Sequence, residues 1–179
     1  YNQVEGGEPN PPSTSTGGTG FTVPSGQTRQ DINSMWFKNS NYFQGANFYS
    51  LAAELNSVLS SNLANTFRGT FTNQDDSRES DSQDFPFVDI MKDGQNYTSF
   101  GYELFSKGNL RKVKTYSFVD NLTWTKGRHT ATLGAQFDHS TTVNGFQRFA
   151  TSYYRFASWE DFINGGDPTH FALTYSLVP

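Results

Sequence analysis

Five acidic residues in one short stretch form the densest group of chemically capable side chains in the sequence. They are Asp75, Asp76, Glu79, Asp81 and Asp84. Carboxylate oxygens are the ligands that Ca²⁺ prefers, but this stretch lacks the glycine and the terminal glutamate of an EF-hand loop at the required spacing. We therefore interpret it as a solvated surface loop.

The histidines give no catalytic or metal-binding pattern. His129, His139 and His170 are scattered, without HxH or HxxxH spacing. Asp138 and His139 are neighbours on a predicted strand, where successive side chains point to opposite faces, which argues against a catalytic pair. The sequence has no cysteine, no Gly-rich phosphate loop after a strand and no Ser-x-x-Lys or Gly-x-Ser-x-Gly nucleophile motif. We predict no catalytic residue, no metal and no cofactor, and nothing in the sequence supports an enzyme.

Polar residues on predicted strands are the candidates for contact with a solute. The candidate lumen-facing residues are Glu54, Arg68, Gln136 and Asp138. Glu54 and Arg68 lie on consecutive predicted strands, so in a tight hairpin they fall on one face and nearly opposite each other. We predict a cross-strand ion pair between them. The alternative to solute contact is that these side chains only pair with each other and with a plug or water.

Asp120 does not fit the pattern of its strand, because it shares the predicted apolar face with Phe118 and Leu122. Two explanations are open. Either the carboxylate lies near a membrane interface, where its cost is small, or a β-bulge shifts the register of the strand.

The elements that position these residues are strands, as strict alternation indicates. In "HTATLGAQFDHS", the residues from His129 to His139 at odd numbers are mostly apolar and those between them are polar. Similar alternation predicts strands at 47–59, 64–74, 112–125, 129–142 and 170–178, with short turns at 60–63 and 126–128. A helix is the alternative for the first of them, which is rich in Ala, Leu and Glu.

Two long connections, 75–111 and 143–169, separate the predicted hairpins and have no sustained period. The second contains "SWEDFIN", where Ser158 is a suitable N-cap and Gly165 a suitable stop for a short helix. Rings flanked by charges in this connection suit the binding of a peptide or a sugar. The candidate extracellular contacts are Arg148, Tyr153, Tyr154, Arg155 and Trp159.

Composition limits the class of protein. The 179 residues are 34% hydrophobic but 16% aromatic, which suits strands and interfacial belts better than a helical core. The formal net charge of −4 gives no argument for nucleic acid as a partner. No apolar stretch approaches the roughly 20 residues of a membrane-spanning helix, although strands of about 9–11 residues can also span a bilayer. Residues 1–32 are rich in Gly, Pro, Ser and Thr, and we interpret them as an extracellular loop.

Alternating connection lengths favour a membrane barrel over a soluble sandwich. Antiparallel strands that run up and down place successive connections at opposite ends, so all short turns fall at one end and all long loops at the other. Outer-membrane barrels have short periplasmic turns and long extracellular loops. We predict an all-β fold: an antiparallel up-and-down transmembrane β-barrel segment over residues 33–179, with about five to six strands of a larger barrel, because a few strands cannot close.

Several stretches resemble the barrel of TonB-dependent outer-membrane receptors, most closely the Oar-like group of Bacteroidetes. They are "DNLTWTKGRHTATLGAQFDH", "NGFQRFATSYYRFASWEDFING" and the segment from "NSNYFQGANFYSLAAELNSVL" to "DFPFVDI". The resemblance covers roughly residues 30–179. It implies a barrel of about 22 strands, a plug domain outside this sequence, import driven by TonB and a bilayer environment in the bacterial outer membrane. We expect both ends of the sequence to be cut from a longer chain.

Two other functions stay open. The first is a soluble β-rich adhesin or carbohydrate-binding module, in which Tyr153, Tyr154 and Trp159 would stack on sugar rings. The second is an outer-membrane barrel that transports nothing and serves as an anchor or assembly platform. The sequence does not name the cargo, a peptide or a glycan, nor decide whether a surface lipoprotein covers the pore.

Overall fold

The computed structural model describes residues 2–4, 9–12, 29–30 and 32–177. In chain order the strands are β1 Asn2–Val4, β2 Pro9–Asn10, β3 Met35–Trp36, β4 Tyr42–Gln44, β5 Asn47–Ser60, β6 Leu63–Asp75, β7 Arg78–Ser80, β8 Phe87–Lys92, β9 Gln95–Phe100, β10 Leu110–Lys126, β11 His129–Gly145, β12 Tyr153–Phe156 and β13 His170–Ala172. A 3-10 helix covers Lys38–Ser40 and helix α1 covers Trp159–Ile163. No helix in the described ranges is long and apolar enough to cross a membrane.

The chain divides into two compact units. The long-strand unit comprises Tyr1–Gly6, Ala46–Asp76 and Arg111–Val143, and the mixed-sheet unit comprises Gly7–Gly45, Ser77–Leu110 and Asn144–Pro179. Most of the predicted loop 1–32 lies outside the described residues. Within that segment, β1 pairs with β5 and β2 pairs with β4.

The long-strand unit is a sheet of antiparallel hairpins in the order β1-β5-β6-β10-β11. Its four long strands confirm the predictions at 47–59, 64–74, 112–125 and 129–142, and they exclude a helix over β5. A register shift between Val58 and Ser60 is the one irregularity recorded for the β5–β6 pairing. The sequence alternation therefore locates these strands to within about three residues at each end.

Both short turns lie at the same end of this sheet. The backbone N–H of Thr125 donates to the carbonyl of Asn62 at 2.8 Å, and the Asn62 amide donates back to the Thr125 carbonyl at 2.9 Å. At the other end, Asp75 of β6 is paired with Lys112 of β10. The chain thus leaves the sheet for both long segments at the end opposite the turns, as the alternating connection lengths predict.

One face of the long-strand sheet is apolar and exposed. Phe67 and Phe71 on β6 face Asp120 and Tyr116 on β10, and the rings of Phe71 and Tyr116 lie 5.0 Å apart. Eight large apolar side chains of this face are 40–77% exposed: Leu51, Leu55, Phe67, Tyr116, Phe118, Trp124, Leu133 and Phe137. A second sheet packed on this face would bury them, so the exposure argues against the soluble sandwich.

The mixed-sheet unit contains the buried core. Its larger sheet has the order β13-β12-β8-β9-β3, with β12 parallel to β8, and a small sheet has the order β2-β4-β7. Among the described residues, the buried hydrophobic side chains all lie between Phe87 and Phe156. One cluster of them comprises Phe87, Leu104, Phe105, Phe149 and Tyr153. Adjacent aromatic rings supply most of the area that this small core removes from water.

Two expectations for this part of the chain need correction. Segments 75–111 and 143–169, expected to be long connections with one short helix, also contain β7, β8, β9 and β12. The fifth long strand expected at 170–178 is also wrong: β13 ends at Ala172 and pairs with β12, where the rings of Tyr154 and Phe171 lie 5.0 Å apart. Short strands of two to six residues are too brief to give a measurable period in the sequence.

Helix α1 begins and ends where the sequence predicts. Ser158 Oγ accepts a hydrogen bond from the backbone N–H of Asp161 at 3.1 Å, which is the N-cap contact. Gly165 follows the helix with φ of +69°, in the left-handed region that glycine adopts without strain.

Single substitutions on the two faces of β11 test which face contacts lipid. Leu133→Arg places a charge on the apolar face, where arginine near the bilayer centre costs about 2–4 kcal/mol. We expect this variant of the intact protein to lose a large part of its folded fraction in the outer membrane, measured by heat-modifiable migration on gels.

The matched control is Thr132→Arg, one residue away on the polar face, and it should insert nearly as the wild type does. Equal loss in both variants would contradict the assignment of the two faces.

Candidate functional site

Four candidate lumen residues lie on the polar face of the long-strand sheet. Thr115 Oγ1 lies 2.9 Å from Ser140 Oγ, which places the even-numbered residues of β11 on this face. Glu54 is paired with Arg68, and Arg68 Nε donates to Glu54 Oε2 at 2.9 Å. The predicted cross-strand ion pair is therefore confirmed. That this face lines a lumen stays a prediction.

The ion pair belongs to a hydrogen-bonded group on neighbouring strands. Asn56 Nδ2 donates to Glu54 Oε1 at 2.9 Å, and Thr66 Oγ1 donates to Asn56 Oδ1 at 2.7 Å. Across the sheet, Gln136 Nε2 donates to Asp138 Oδ2 at 2.8 Å. Because these side chains are exposed, the contacts add little to stability. They present positively and negatively charged groups, together with neutral hydrogen-bond donors and acceptors, to the solvent or protein that lies against this face.

Asp120 lies on the apolar face and has a polar partner there. The pairing of β6 with β10 runs without a shift from Lys112 to Trp124, so the bulge explanation is wrong. Asn65 Nδ2 donates to Asp120 Oδ1 at 2.8 Å. The amide contact lowers the cost of placing this carboxylate among apolar neighbours.

The candidate contacts in the second long segment divide by burial. Arg148 is exposed and Trp159 is 44% exposed, whereas Tyr154 is half-buried and packs on Phe171. Tyr153 and Arg155 are buried, which contradicts their predicted role as surface contacts. The reason is that β12 is an inner strand of the larger sheet, with β13 on one side and β8 on the other. The Tyr153 ring lies 6.4 Å from the Phe87 ring of the core, and Arg155 Nη2 lies 3.6 Å from Asp89 Oδ2.

The buried polar centre of the mixed-sheet unit is Asp89 on β8. Its carboxylate accepts hydrogen bonds from Arg29 Nε at 2.9 Å, the Tyr153 hydroxyl at 2.7 Å and the Ser99 hydroxyl at 2.7 Å. Both charged side chains are about 1% exposed, and the Arg29 guanidinium also lies 5.1 Å from the centroid of the Phe87 ring. This cluster fixes Arg29 against the larger sheet.

Burial would raise the pKa of Asp89, but the charge of Arg29 and the hydrogen bonds from Arg29, Tyr153 and Ser99 outweigh it and hold this pKa below its ordinary value. Burial and the nearby carboxylate raise the pKa of Tyr153, so its hydroxyl stays a donor. Asp89 is therefore ionised and fully paired.

An ion pair between the partly buried Arg78 and the buried Glu103 joins the small sheet to the turn after β9. Arg78 lies 2.9 Å from Glu103 Oε1, and its guanidinium stacks 3.5 Å from the centroid of the Tyr42 ring. Glu103 Oε2 accepts from the Ser106 hydroxyl at 2.6 Å. Like the Asp89 cluster, this pair orders the unit rather than presenting reactive groups.

Comparison with known protein families gives one decisive match. The family of outer membrane beta barrel domains matches residues 12–174, which covers segments of both units. The chain belongs to this family. No curated protein and no solved structure matches it.

Family membership explains the exposed apolar face of the long-strand sheet. A barrel protein of the bacterial outer membrane meets the hydrocarbon of a lipid bilayer on the outer side of its strands. The localisation predicted from the sequence is therefore confirmed. The outer-membrane family also removes the support for a soluble binding module.

Sequence reasoning missed Asp89 and Arg29. A signal for Asp89 exists, since a carboxylate within the apolar run "FVDIM" must find buried partners. Nothing in the sequence near Arg29 names that partner, which lies 60 residues away in the chain.

Removal of the buried carboxylate tests its role in the mixed-sheet unit. Asp89→Asn keeps the shape but leaves Arg29 buried beside a neutral amide, so we expect a loss of about 3–5 kcal/mol. Protease cleavage within residues 77–110 of the intact membrane protein should become markedly faster.

The control is Asp84→Asn, which breaks an exposed pair with Lys107 and should change little. Because the folded-state pKa of Asp89 is depressed, its stabilisation is present above about pH 4 and is lost as pH falls through the folded-state value. The protease resistance of the wild-type protein should fall over that pH range. The protease resistance of Asp89→Asn should not change with pH in the same way, because the variant lacks this carboxylate. Equal sensitivity of the two variants at neutral pH would contradict this role.

Proposed function

We propose that this protein is a TonB-dependent transporter of the Oar-like group rather than an enzyme. In this proposal the long strands are part of a barrel of about 22 strands. The mixed-sheet unit takes up cargo at the cell surface, and a plug domain outside this sequence couples the barrel to TonB. The sequence resemblance to such receptors is one support for it.

The observation that carries the proposal is the ordered structure of the two long segments. Both leave the long-strand sheet at the end opposite the short turns, and they contribute strands to a unit with its own buried core. An ordered surface loses less conformational entropy when it binds a solute than an irregular loop does. A barrel that serves only as a membrane anchor has no need of such a surface.

The polar face of the long-strand sheet is the second support. Glu54, Arg68, Gln136 and Asp138 present paired charges and amides on one face. In a large barrel such a face lines a lumen that water or a plug fills. Removal of Arg68 alone would leave Glu54 without its cross-strand partner.

TonB binding separates a transporter from an anchor. We expect the detergent-purified intact protein to bind the isolated periplasmic domain of TonB saturably, measured by calorimetry. We also expect binding to disappear when the segment preceding the barrel is removed, because the plug carries the contact. An intact protein that inserts normally but does not bind this domain would favour the anchor.

A further inference from the structure

An open groove of about 710 Å³ lies within the mixed-sheet unit. Its walls come from β3 and the residue after it, from the β8–β9 hairpin and from the first turn of α1. A smaller groove of about 410 Å³ adjoins it and shares Lys92, Asp93 and Tyr97. These three shared residues all belong to the β8–β9 hairpin, whose tight turn has positive φ at Asp93 and Gly94.

We propose that this pair of grooves binds a neutral glycan. The proposal deepens the proposed function by naming the class of cargo, and it rests on that function only for the step of import. Three features of the grooves carry it: aromatic faces, buried polar atoms and charge.

The aromatic residues of the main groove keep a large part of their surface open. Phe37, Tyr97 and Trp159 come from three separate elements and are 44–52% exposed. Such faces are apolar platforms on which the C–H side of a sugar ring packs, while the ring hydroxyls stay free for hydrogen bonds. Lys92 Nζ lies 5.3 Å from the centroid of the Tyr97 ring, which adds a donor at the edge of this platform.

Two buried polar atoms at the grooves have no hydrogen-bond partner among the described residues. They are Thr98 Oγ1, which belongs to a residue of the main groove, and Asn96 Oδ1, which belongs to a residue of the adjoining one. Both residues are 4% exposed. An unsatisfied buried polar atom is costly, so a ligand that supplies hydrogen bonds here gains affinity. Hydroxyl groups satisfy both atoms because they donate and accept.

Charge and the sheet edge favour a neutral sugar over other ligands. The main groove has one cation, Lys92, and two carboxylates, Asp93 and Glu160, which gives no attraction for an anionic ligand. A peptide that adds to a sheet needs an edge long enough for several backbone hydrogen bonds. The edge strand β3 has only two residues, Met35 and Trp36, so it offers a poor template.

The test uses the intact protein in detergent and an array of neutral, acidic and amino oligosaccharides, with short peptides alongside. We expect saturable binding of a neutral oligosaccharide. Tyr97→Ala should weaken it about tenfold, since loss of an aromatic contact removes up to that factor.

Thr98→Val separates ligand contact from folding. The substitution keeps the shape and removes the buried hydroxyl that lacks a partner, so the protease resistance of the unit should be unchanged or higher. Affinity for the oligosaccharide should nevertheless fall. The control is Phe146→Ala, which removes an exposed ring that does not line either groove and should leave binding unchanged.

Each failure has its own meaning. Absence of oligosaccharide binding, binding of peptides that Tyr97→Ala abolishes, or oligosaccharide binding unaffected by both groove variants would overturn the inference. TonB binding without oligosaccharide binding would support the proposed transport function and exclude only the glycan as its cargo. Oligosaccharide binding without TonB binding would support the glycan site in the grooves and contradict the proposed transport function.

Discussion

The constraint on which the rest of this structure depends is a sheet with one apolar and one polar face, neither of which meets a core formed by the described residues. Apolar side chains such as Leu133 and Phe137 favour hydrocarbon over water, while Arg68 and Asp138 on the other face favour an aqueous or polar filling. Because the side-chain period of a strand is two, a shift of one residue would reverse both faces at once. The continuous β6–β10 register and the Thr115–Ser140 contact determine which residues of these strands lie on each face.

The mixed-sheet unit is stabilised in a different way. It has a small aromatic core and two buried carboxylates that pair with arginines: Asp89 with Arg29 and Arg155, and Glu103 with Arg78. Buried pairs of this kind contribute less to net stability than to a unique arrangement, because breaking either one leaves an uncompensated charge. Asp89 therefore acts as a common anchor for β8, β9, β12 and the residues around Arg29. That arrangement gives the groove walls fixed positions.

Sequence reasoning was most successful where a local period repeats over many residues. The long strands, the pairing of Glu54 with Arg68 and the cap of α1 by Ser158 all follow from contacts between residues at fixed local spacing. It was least successful for β7, β8, β9, β12 and β13, which are short and belong to sheets that join segments distant in the sequence. The parallel pairing of β12 with β8, and the burial of Tyr153 and Arg155 that it causes, depend on those distant partners.

Spin-label accessibility along β11 tests the two-faced sheet most directly. The sequence contains no cysteine, so a single cysteine can be introduced at Thr132, Leu133, Gln136 or Phe137 and spin-labelled. The measurement uses the intact protein in lipid bilayers, with any cysteine outside this sequence replaced. The account predicts high collision rates with oxygen at 133 and 137, and high collision rates with a water-soluble nickel chelate at 132 and 136. Equal accessibility at all four positions, or the reverse pattern, would contradict it.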